Sequence, residues 1–564
     1  MKNPFKKRGQ KLVATGEEHI KKNFLKRLSH VVNVRLFVIE WGLLVFALVM
    51  LALTQSFWFS ESYSTSSYAS GGTYTEATLG KINSLNPLFA STSSEKTLAK
   101  LLFLGLTSSD TSGHTGNVLA KSVSMDATGK VWTVRLREGL KWSDGEPLTT
   151  SDVIFTVNLI KNPLVISGYS SNLDRVEVRL NEAGDLVFTL PAVYTDFASM
   201  LDFPILPEHV LKSVDPATLL DSTFSTAPVS SGAFSYNATQ LIGTSGEAVV
   251  YLMANKNFYK GAPRINSFVV HAYLSADEII SALRFGSVSA TAELLPTDAE
   301  AVSSRNIYEK QTAINSGVFL FMNTRSSVFK DKSARKAVQT GLDLAEIRSL
   351  VGDEAPLDFP ILKSQVSLEN WPEYPERNLD SARNTVSNLG NKTVSLVTIN
   401  TGYFKTLAED ISAQLEDIGF TVNTEFYDPG QEFLVNVIAN RAYDILLYEI
   451  ELGVDPDLLV YYHSSQASST GLNLSNYNSS VADNLILSLR ETVDENTKKQ
   501  KYEDFLKRWL EDAPAIGLYQ VNMSYYFDHT VKTFSEDNSL TVATDRFADI
   551  KYWGVEKVAK NRTP

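Results

Sequence analysis

The chain has 564 residues, of which 43% are hydrophobic and 21% are charged, a composition that indicates a large globular protein of several domains. It has no cysteine, which excludes disulfides, thiol nucleophiles, cysteine-ligated metals and a lipid-modified N-terminal cysteine. The net charge is −12, but residues 1–35 carry ten Lys/Arg and two Glu, a net +8 that leaves −20 for the remainder. A body this acidic argues against nucleic acid as its partner.

Residues 36–59 form an apolar stretch directly after the basic segment. About twenty apolar residues are needed to cross a bilayer, and the basic side stays in the cytoplasm. We therefore predict a cytoplasmic segment 1–35, one transmembrane anchor 36–59, a flexible linker 60–70 and an extracytoplasmic body on the cell membrane. A cleaved signal peptide, with Tyr68-Ala69-Ser70 as a possible cleavage site, and a buried core helix remain the alternatives.

Residues 130–157 contain a predicted strand, turn and helix start. Apolar residues alternate with polar ones from Trp132 to Arg137, which is the period of a half-buried strand. Asp144-Gly145 is a turn pair, and Thr150, Ser151 or Asp152 can cap a helix that follows it. Its apolar stripe consists of Val153, Ile154, Val157 and Ile160.

The next elements are a hairpin, a strand and a helix. Alternating patterns over Arg175–Leu180 and Leu186–Leu190, separated by a turn-like segment, predict two antiparallel strands. Ile265–Tyr273 is a further predicted strand. A helix is expected from Ser275 to about Arg284, because a glycine follows at the usual stop position.

The C-terminal half alternates strands with helices. Strands are predicted over Val394–Asn400, Phe420–Tyr427 and Tyr443–Ile450, with a helical stripe at 407–418 and a helix at Gln431–Ala439 between them. This order implies a mixed or parallel sheet with helices on its faces. Ligands of such sheets lie at the carboxyl ends of the strands, which directs attention to the residues after Ile450.

Several ordered segments resemble the family-5 extracytoplasmic solute-binding proteins, the peptide receptors of ABC importers. The most specific match reads Arg-Glu-Gly-Leu-Lys-Trp-Ser-Asp-Gly-Glu-Pro-Leu-Thr, at residues 137–149. The other matching segments lie at 71–87, 206–209, 228–234, 255–263 and 323–343.

The resemblance implies an α/β, periplasmic-binding-protein-like fold of two lobes with mixed sheets and hinge crossovers, carrying an inserted extra domain and preceded by the one transmembrane helix. Lobe I would comprise 71–93, 191–275 and 520–560. The inserted domain II would span 94–190, and lobe III would span 276–519.

The function implied is capture of peptides or similar small solutes in an interlobe cleft and their delivery to ABC permease subunits. A tethered peptide sensor that signals to a membrane partner is the alternative. The sequence contains no Gly-x-Ser-x-Gly elbow, phosphate loop or His-Glu-x-x-His motif. It therefore gives no evidence for an enzymatic function, and we expect no cofactor. The seven histidines lack the spacing of a helical metal site.

The resemblance also implies that a carboxylate located after the strand at 443–450 holds the ligand's α-amino group. Related receptors carry Gly-Trp-x-x-Asp there, whereas this chain lacks the Gly-Trp pair and has Gly453 near the aspartate position. The candidate carboxylates are therefore Glu449, Glu451 and Asp455. The other candidate ligand contacts are Tyr448, Tyr461, Ile82, Asn83, Ser230 and Ser231.

Overall fold

The computed structural model describes residues 35–68, 71–109, 114–173, 175–194, 196–244, 246–295, 298–303, 306–352, 355–454, 456–492, 494–534, 540–555 and 557–561. The chain divides into two compact units, one of residues 1–68 and 557–564 and one of residues 69–556.

The first unit contains helix α1, Arg35–Tyr63, and strand β1, Ser64–Tyr68, which pairs antiparallel with β19, Lys557–Asn561. Large apolar side chains of α1 are exposed from Ile39 to Leu53. None of the helices within the described residues is both long enough and apolar enough to cross a membrane.

Two predictions for this unit need correction. The linker predicted at 60–70 is not free of regular structure, because α1 continues to Tyr63 and residues 64–68 pair their backbone with β19. Residues 557–560, assigned by prediction to lobe I, belong to the same pairing. The predicted basic segment 1–35 lies outside the described residues except for Arg35.

The second unit mixes helices and strands throughout. Its α-helices are α2 Ser93–Leu102, α3 Thr150–Ile160, α4 Ser170–Leu173, α5 Glu208–Leu211, α6 Ala276–Arg284, α7 Ala299–Val302, α8 Lys332–Gly341, α9 Leu344–Ser349, α10 Leu379–Ser387, α11 Phe404–Ile418, α12 Gln431–Phe433, α13 Leu458–Tyr462, α14 Ser480–Glu491 and α15 Glu495–Asp512. A π-helical turn, Leu434–Ala439, continues α12. The 3-10 helices are Pro87–Phe89, Phe197–Asp202, Pro216–Thr218, Thr223–Ser225, Ser464–Gln466 and Ala543–Tyr552.

The strands of this unit are β2 Thr73–Leu79, β3 Thr107–Ser109, β4 Thr115–Asn117, β5 Ala120–Met125, β6 Val131–Leu136, β7 Glu177–Leu180, β8 Leu186–Thr189, β9 Phe234–Ile242, β10 Glu247–Ala254, β11 Ser267–Tyr273, β12 Ala290–Leu294, β13 Ile307–Met322, β14 Ala355–Pro356, β15 Thr393–Ile399, β16 Thr421–Tyr427, β17 Ile445–Glu451 and β18 Ala515–Asp528.

The elements predicted from local patterns are confirmed. Trp132 and Val134 of β6 are buried, as the alternation predicts, and β7 pairs antiparallel with β8. Helix α3 follows a capping box formed by Thr149 and Asp152. Helix α11 ends at Gly419, whose φ of 110° is a left-handed conformation that a residue with a side chain rarely adopts.

One mixed sheet runs through the unit in the order β16-β15-β17-β13-β18-β12-β2-β11-β10-β9, with β14 paired to β18. Strand β15 is parallel to both β16 and β17, which confirms the β-α-β-α-β arrangement predicted for the C-terminal half. Strand β17 is antiparallel to β13. Two smaller sheets, β5-β6-β8-β7 and β3-β4, complete the strand pairing.

The buried apolar residues form two cores. The first core draws on residues 74–290 and 523–553, together with Ile314. The second core consists of two clusters within residues 318–519. This division matches the two lobes implied by the resemblance. A smaller cluster packs Tyr273 together with Ile279, so the boundary predicted at residue 276 passes through it.

Strands β13 and β18 belong to both cores. They pair antiparallel from Ile307 opposite Asp528 to Phe321 opposite Ala515. One end of this ribbon is joined to β12 and the other to β17. The pairing is irregular between Ala313 and Gly317, which is where the ribbon passes from the first core to the second.

Gly517 of β18 has no room for a side chain, because the backbone at Leu357 passes very close to it. A Cβ at Gly517 would collide with the backbone carbonyl oxygen of Leu357, which cannot rotate away as a side chain could. We therefore expect Gly517→Ala to lower the free energy of unfolding by about 1–3 kcal/mol, the usual cost of overpacking. Urea denaturation followed by tryptophan fluorescence would measure it.

Gly390→Ala is the matched control, since a Cβ at Gly390 meets nothing within 4 Å and its φ is not positive. We expect that variant to retain the stability of the parent chain. Equal stability of the two variants would contradict the close approach at Gly517.

Candidate functional site

A cavity of about 1580 Å³ is lined by residues of both cores. The first core contributes side chains from α2, from the 3-10 helix 197–202 and from the 3-10 helix 543–552. The second core contributes the end of β17 and the segment that follows it. The cavity therefore lies at the carboxyl end of β17, as the rule for such sheets predicts.

Helix α2 places two lysines in the cavity. Its start is secured by a capping box, in which Thr92 accepts from the Glu95 amide and the Glu95 carboxylate accepts from the Thr92 amide. Lys96 and Lys100 stand four residues apart and so share one face of the helix. Lys100 Nζ lies 2.8 Å from Asp545 Oδ1, and Lys96 Nζ lies 2.7 Å from Glu451 Oε1.

The end of β17 places two carboxylates in the cavity. Glu449 and Glu451 lie on one side of the strand because side chains alternate, while Ile450 between them is buried in the second core. The following segment is fixed in place: the Leu452 amide donates to Asn315 O at 2.7 Å. Gln365 Nε2 donates to the Leu452 carbonyl at 3.0 Å, and Tyr461 Oη donates to the Glu451 carbonyl at 2.7 Å.

The two carboxylates differ in their electrostatic surroundings. The ammonium of Lys96 lowers the pKa of Glu451. The negative charge of this carboxylate is therefore balanced by the positive charge of Lys96. Burial raises the pKa of Glu449. No lysine, arginine or histidine nitrogen of the described residues lies within 4.0 Å of the Glu449 carboxylate.

Two further carboxyls of the cavity also have raised pKa values. Burial raises the pKa of Glu293, on β12, to about 7 and that of Asp202 to about 6. Both line the cavity with Glu449. Glu293 and Glu449 are partly buried, whereas the Asp202 side chain is exposed. A carboxyl shielded from water is costly to ionise, so Glu293 and Glu449 favour a positive charge brought into the cavity.

The structure brings four of the predicted site residues together. Tyr448, Glu449, Glu451 and Tyr461 all line the cavity. Asp455 lies outside the described residues.

The remaining four predicted residues do not line the cavity. Ile82 packs against the first core, and the Asn83 amide donates to Glu95 Oε1 at 2.8 Å. Ser230 Oγ donates to Phe234 O at 3.0 Å, and Ser231 Oγ accepts from the Leu104 amide at 3.1 Å. Both serines are buried and their hydroxyls are engaged in the local fold.

Sequence reasoning missed Lys96, Lys100, Asp202 and Glu293. The capping box at Thr92 and the lysine spacing could have predicted a helix with two lysines on one face. Nothing in the sequence links Lys96 to Glu451, 355 residues away. Across the described part of the chain, no group of three or more His, Cys, Asp or Glu side chains is arranged to hold a metal ion.

Comparison with known proteins agrees with this architecture. A sequence profile described as bacterial extracellular solute-binding proteins, family 5 Middle, matches residues 115–471. The oligopeptide-binding protein AppA of Bacillus subtilis is 25% identical over 481 residues, which cover 80% of this chain and 87% of the relative.

Solved structures share the fold. The structure of AppA from Bacillus subtilis in complex with a nonapeptide has a TM-score of 0.77 at 23% identity. The match covers 87% of this chain and 100% of the AppA chain. NikZ from Campylobacter jejuni in complex with Ni(L-His) has a TM-score of 0.72 at 21% identity, covering 86% and 99%.

The matched profile spans more than half of the 564 residues, and the two-lobed fold agrees with it. The chain belongs to the bacterial extracellular solute-binding proteins of family 5, which are binding receptors and not enzymes.

Proposed function

We propose that this chain is a membrane-anchored extracytoplasmic receptor that encloses peptides in its cavity and delivers them to the permease of an ABC transporter. The observation that carries the proposal is a carboxylate, Glu449, that faces a large cavity without a cationic partner among the described residues. The ammonium group of a peptide would supply the missing charge through charge-assisted hydrogen bonds.

The size of the cavity supports a peptide. Its 1580 Å³ exceeds the roughly 300–1,000 Å³ of a typical small-molecule site. An extended peptide offers the same main-chain donors and acceptors whatever its sequence, and spacious pockets leave room for water beside its side chains. A receptor of this kind would accept many peptides and select mainly for the main chain and the amine.

The relatives support the same ligand class. AppA of Bacillus subtilis, similar over most of this chain, is an oligopeptide-binding protein and was solved with a nonapeptide. NikZ has the same fold with Ni(L-His), so the ligand has to be argued from the site and not from the fold. On this basis we assign the amine to Glu449, with Tyr448, Glu451 and Tyr461 completing the contact surface.

We assign the membrane anchor to α1. The assignment rests on the apolar sequence 36–59, on the exposed apolar side chains from Ile39 to Leu53, and on the basic residues that precede them. The anchor would hold the receptor next to its permease and so shorten the search for it.

Short peptides should stabilise the protein. A ligand at one hundred times its dissociation constant adds about 2.7 kcal/mol to the stability of the folded state. Thermal-shift measurement with a mixed library of di- to nonapeptides, followed by calorimetry of the hits, would test the proposal. Absence of stabilisation by every peptide at millimolar concentration would contradict it.

Glu449→Gln should weaken the binding of peptides with a free α-amino group by about ten- to a hundredfold, since a hydrogen bond to a charged group contributes about 1.5–3 kcal/mol. Glutamine keeps the size of the side chain and removes its charge. N-acetylated peptides should lose little affinity, because they carry no ammonium group. Glu416→Gln, on the exposed face of α11, is the control. Equal losses for both peptide forms would contradict the role of Glu449.

The ligand-free protein should lose stability as the pH rises from about 4.5 to about 7, because burial raises the pKa of Glu293 from 4.5 to about 7. In that window the folded state holds a proton that the unfolded state has released, so raising the pH favours unfolding. Glu293→Gln should reduce this slope. Thermal unfolding between pH 4 and 8 would measure it, and an unchanged slope in the variant would exclude Glu293 as its source.

A further inference from the structure

One ion pair crosses the cavity from the first core to the second at hydrogen-bonding distance. Lys96 stands on α2, whose Leu98 and Leu101 are buried in the first core. Glu451 ends β17, whose Ile450 is buried in the second core. The distance from Lys96 Nζ to Glu451 Oε1 is 2.7 Å.

The pair is accessible and both of its partners are mounted on rigid elements. The side chains of Lys96 and Glu451 are 50% and 48% exposed, so water can replace either partner when they separate. Lys96 follows the capped start of α2, and the β17 backbone at Glu451 is held by the Tyr461 hydroxyl. Their meeting therefore depends on the relative position of the two elements and not on a mobile loop.

Two further ion pairs between the cores, within the part of the chain that the structure describes, have longer distances. Lys81 and Asp428 lie 3.8 Å apart, and Lys498 and Asp196 lie 3.9 Å apart. The guanidinium of Arg490 stacks over the ring of Tyr194. The Lys96–Glu451 pair differs because it lies in the cavity wall and neutralises a carboxylate next to Glu449.

Any motion that admits a ligand by separating α2 from the end of β17 must break this pair. Closure restores it without help from the ligand. Glu451 then has the Lys96 ammonium within hydrogen-bonding distance, whereas the same ammonium acts on Glu449 only from beyond 4.0 Å. The two carboxylates would thus divide two tasks, closing the cavity and holding an amine.

We propose that Lys96 is an internal counter-ion that closes the cavity onto Glu451, so that closure at this point requires no positive charge on the ligand. The statement about the ligand's charge rests on the proposed function. The statement that the Lys96–Glu451 pair closes the cavity does not depend on it. The receptor would accordingly recognise a single positive charge at this end of its ligand, through Glu449.

Closure can be measured in the full chain without any ligand. The chain has no cysteine, so Thr239→Cys on β9 and Ala413→Cys on α11 introduce two exposed thiols, one on each core, for a fluorescence-transfer pair. We expect Lys96→Met and Glu451→Gln each to raise the ratio of open to closed molecules by about two- to fivefold, as for a solvent-exposed ion pair.

A charge exchange separates this effect from general damage. The double variant Lys96→Glu/Glu451→Lys should recover most of the closed population that either single variant loses. Lys332→Met is the control, because Lys332 pairs with Glu511 at 2.6 Å and with Asp512 at 3.3 Å, both within the second core. Circular dichroism would confirm that each variant is folded. Unchanged transfer in Lys96→Met, or no recovery in the double variant, would overturn the proposal.

Ligand selectivity gives an independent measurement. In Lys96→Met the ligand's ammonium must compensate Glu451, so the ratio of affinities for free-amine and N-acetylated forms of one peptide should rise several-fold above that of the parent chain. An unchanged ratio would overturn the part assigned to Lys96 in selectivity. If the parent chain binds no peptide, the proposed function fails, while the fluorescence measurement still decides whether the pair closes the cavity.

Discussion

The pairing of β13 with β18 is the constraint on which the rest of the structure depends. Each strand contributes residues to both cores, so one sheet runs through the whole body instead of ending at each lobe. The ribbon joins β12 on one side and β17 on the other, and the cavity lies where the pairing becomes irregular.

Charge distribution follows from this geometry. Two buried carboxylates of the first core have a cationic partner: Arg546 pairs with Glu76, and Lys100 pairs with Asp545. Such pairing offsets the high cost of removing charge from water. Glu449 and Glu293, which also line the cavity, have no cationic nitrogen within 4.0 Å among the described residues, and burial raises the pKa of each. The same physics that makes these groups costly in the empty cavity makes a cationic ligand favourable there.

The segments that most resemble the family are not the segments that line the cavity. Trp132 and Val153, within the most recognisable segment, are buried in the first core and serve its packing. Ser230 and Ser231 lie in another matching segment, and their hydroxyls bond to the neighbouring backbone. The end of β17, where the resemblance implies a Gly-Trp pair that this chain does not have, faces the cavity. Segments that preserve a fold and segments that choose a ligand are under different physical demands.

Local sequence determined the secondary structure and the family. The alternation in β6 and the glycine after α11 act over a few residues, so periodicity and turn chemistry were enough to predict them. The start of α3 was predicted to within three residues, but its N-cap is Thr149 and not Thr150, Ser151 or Asp152. The order β-α-β-α-β further indicated which strand end would carry the site. Only the tertiary structure decided which charges meet. Lys96 reaches Glu451 across 355 residues because α2 and β17 are held on opposite walls by different cores. The energy of a charge depends on burial and on neighbours remote in sequence, so no local pattern distinguishes the neutralised Glu451 from Glu449, two residues away.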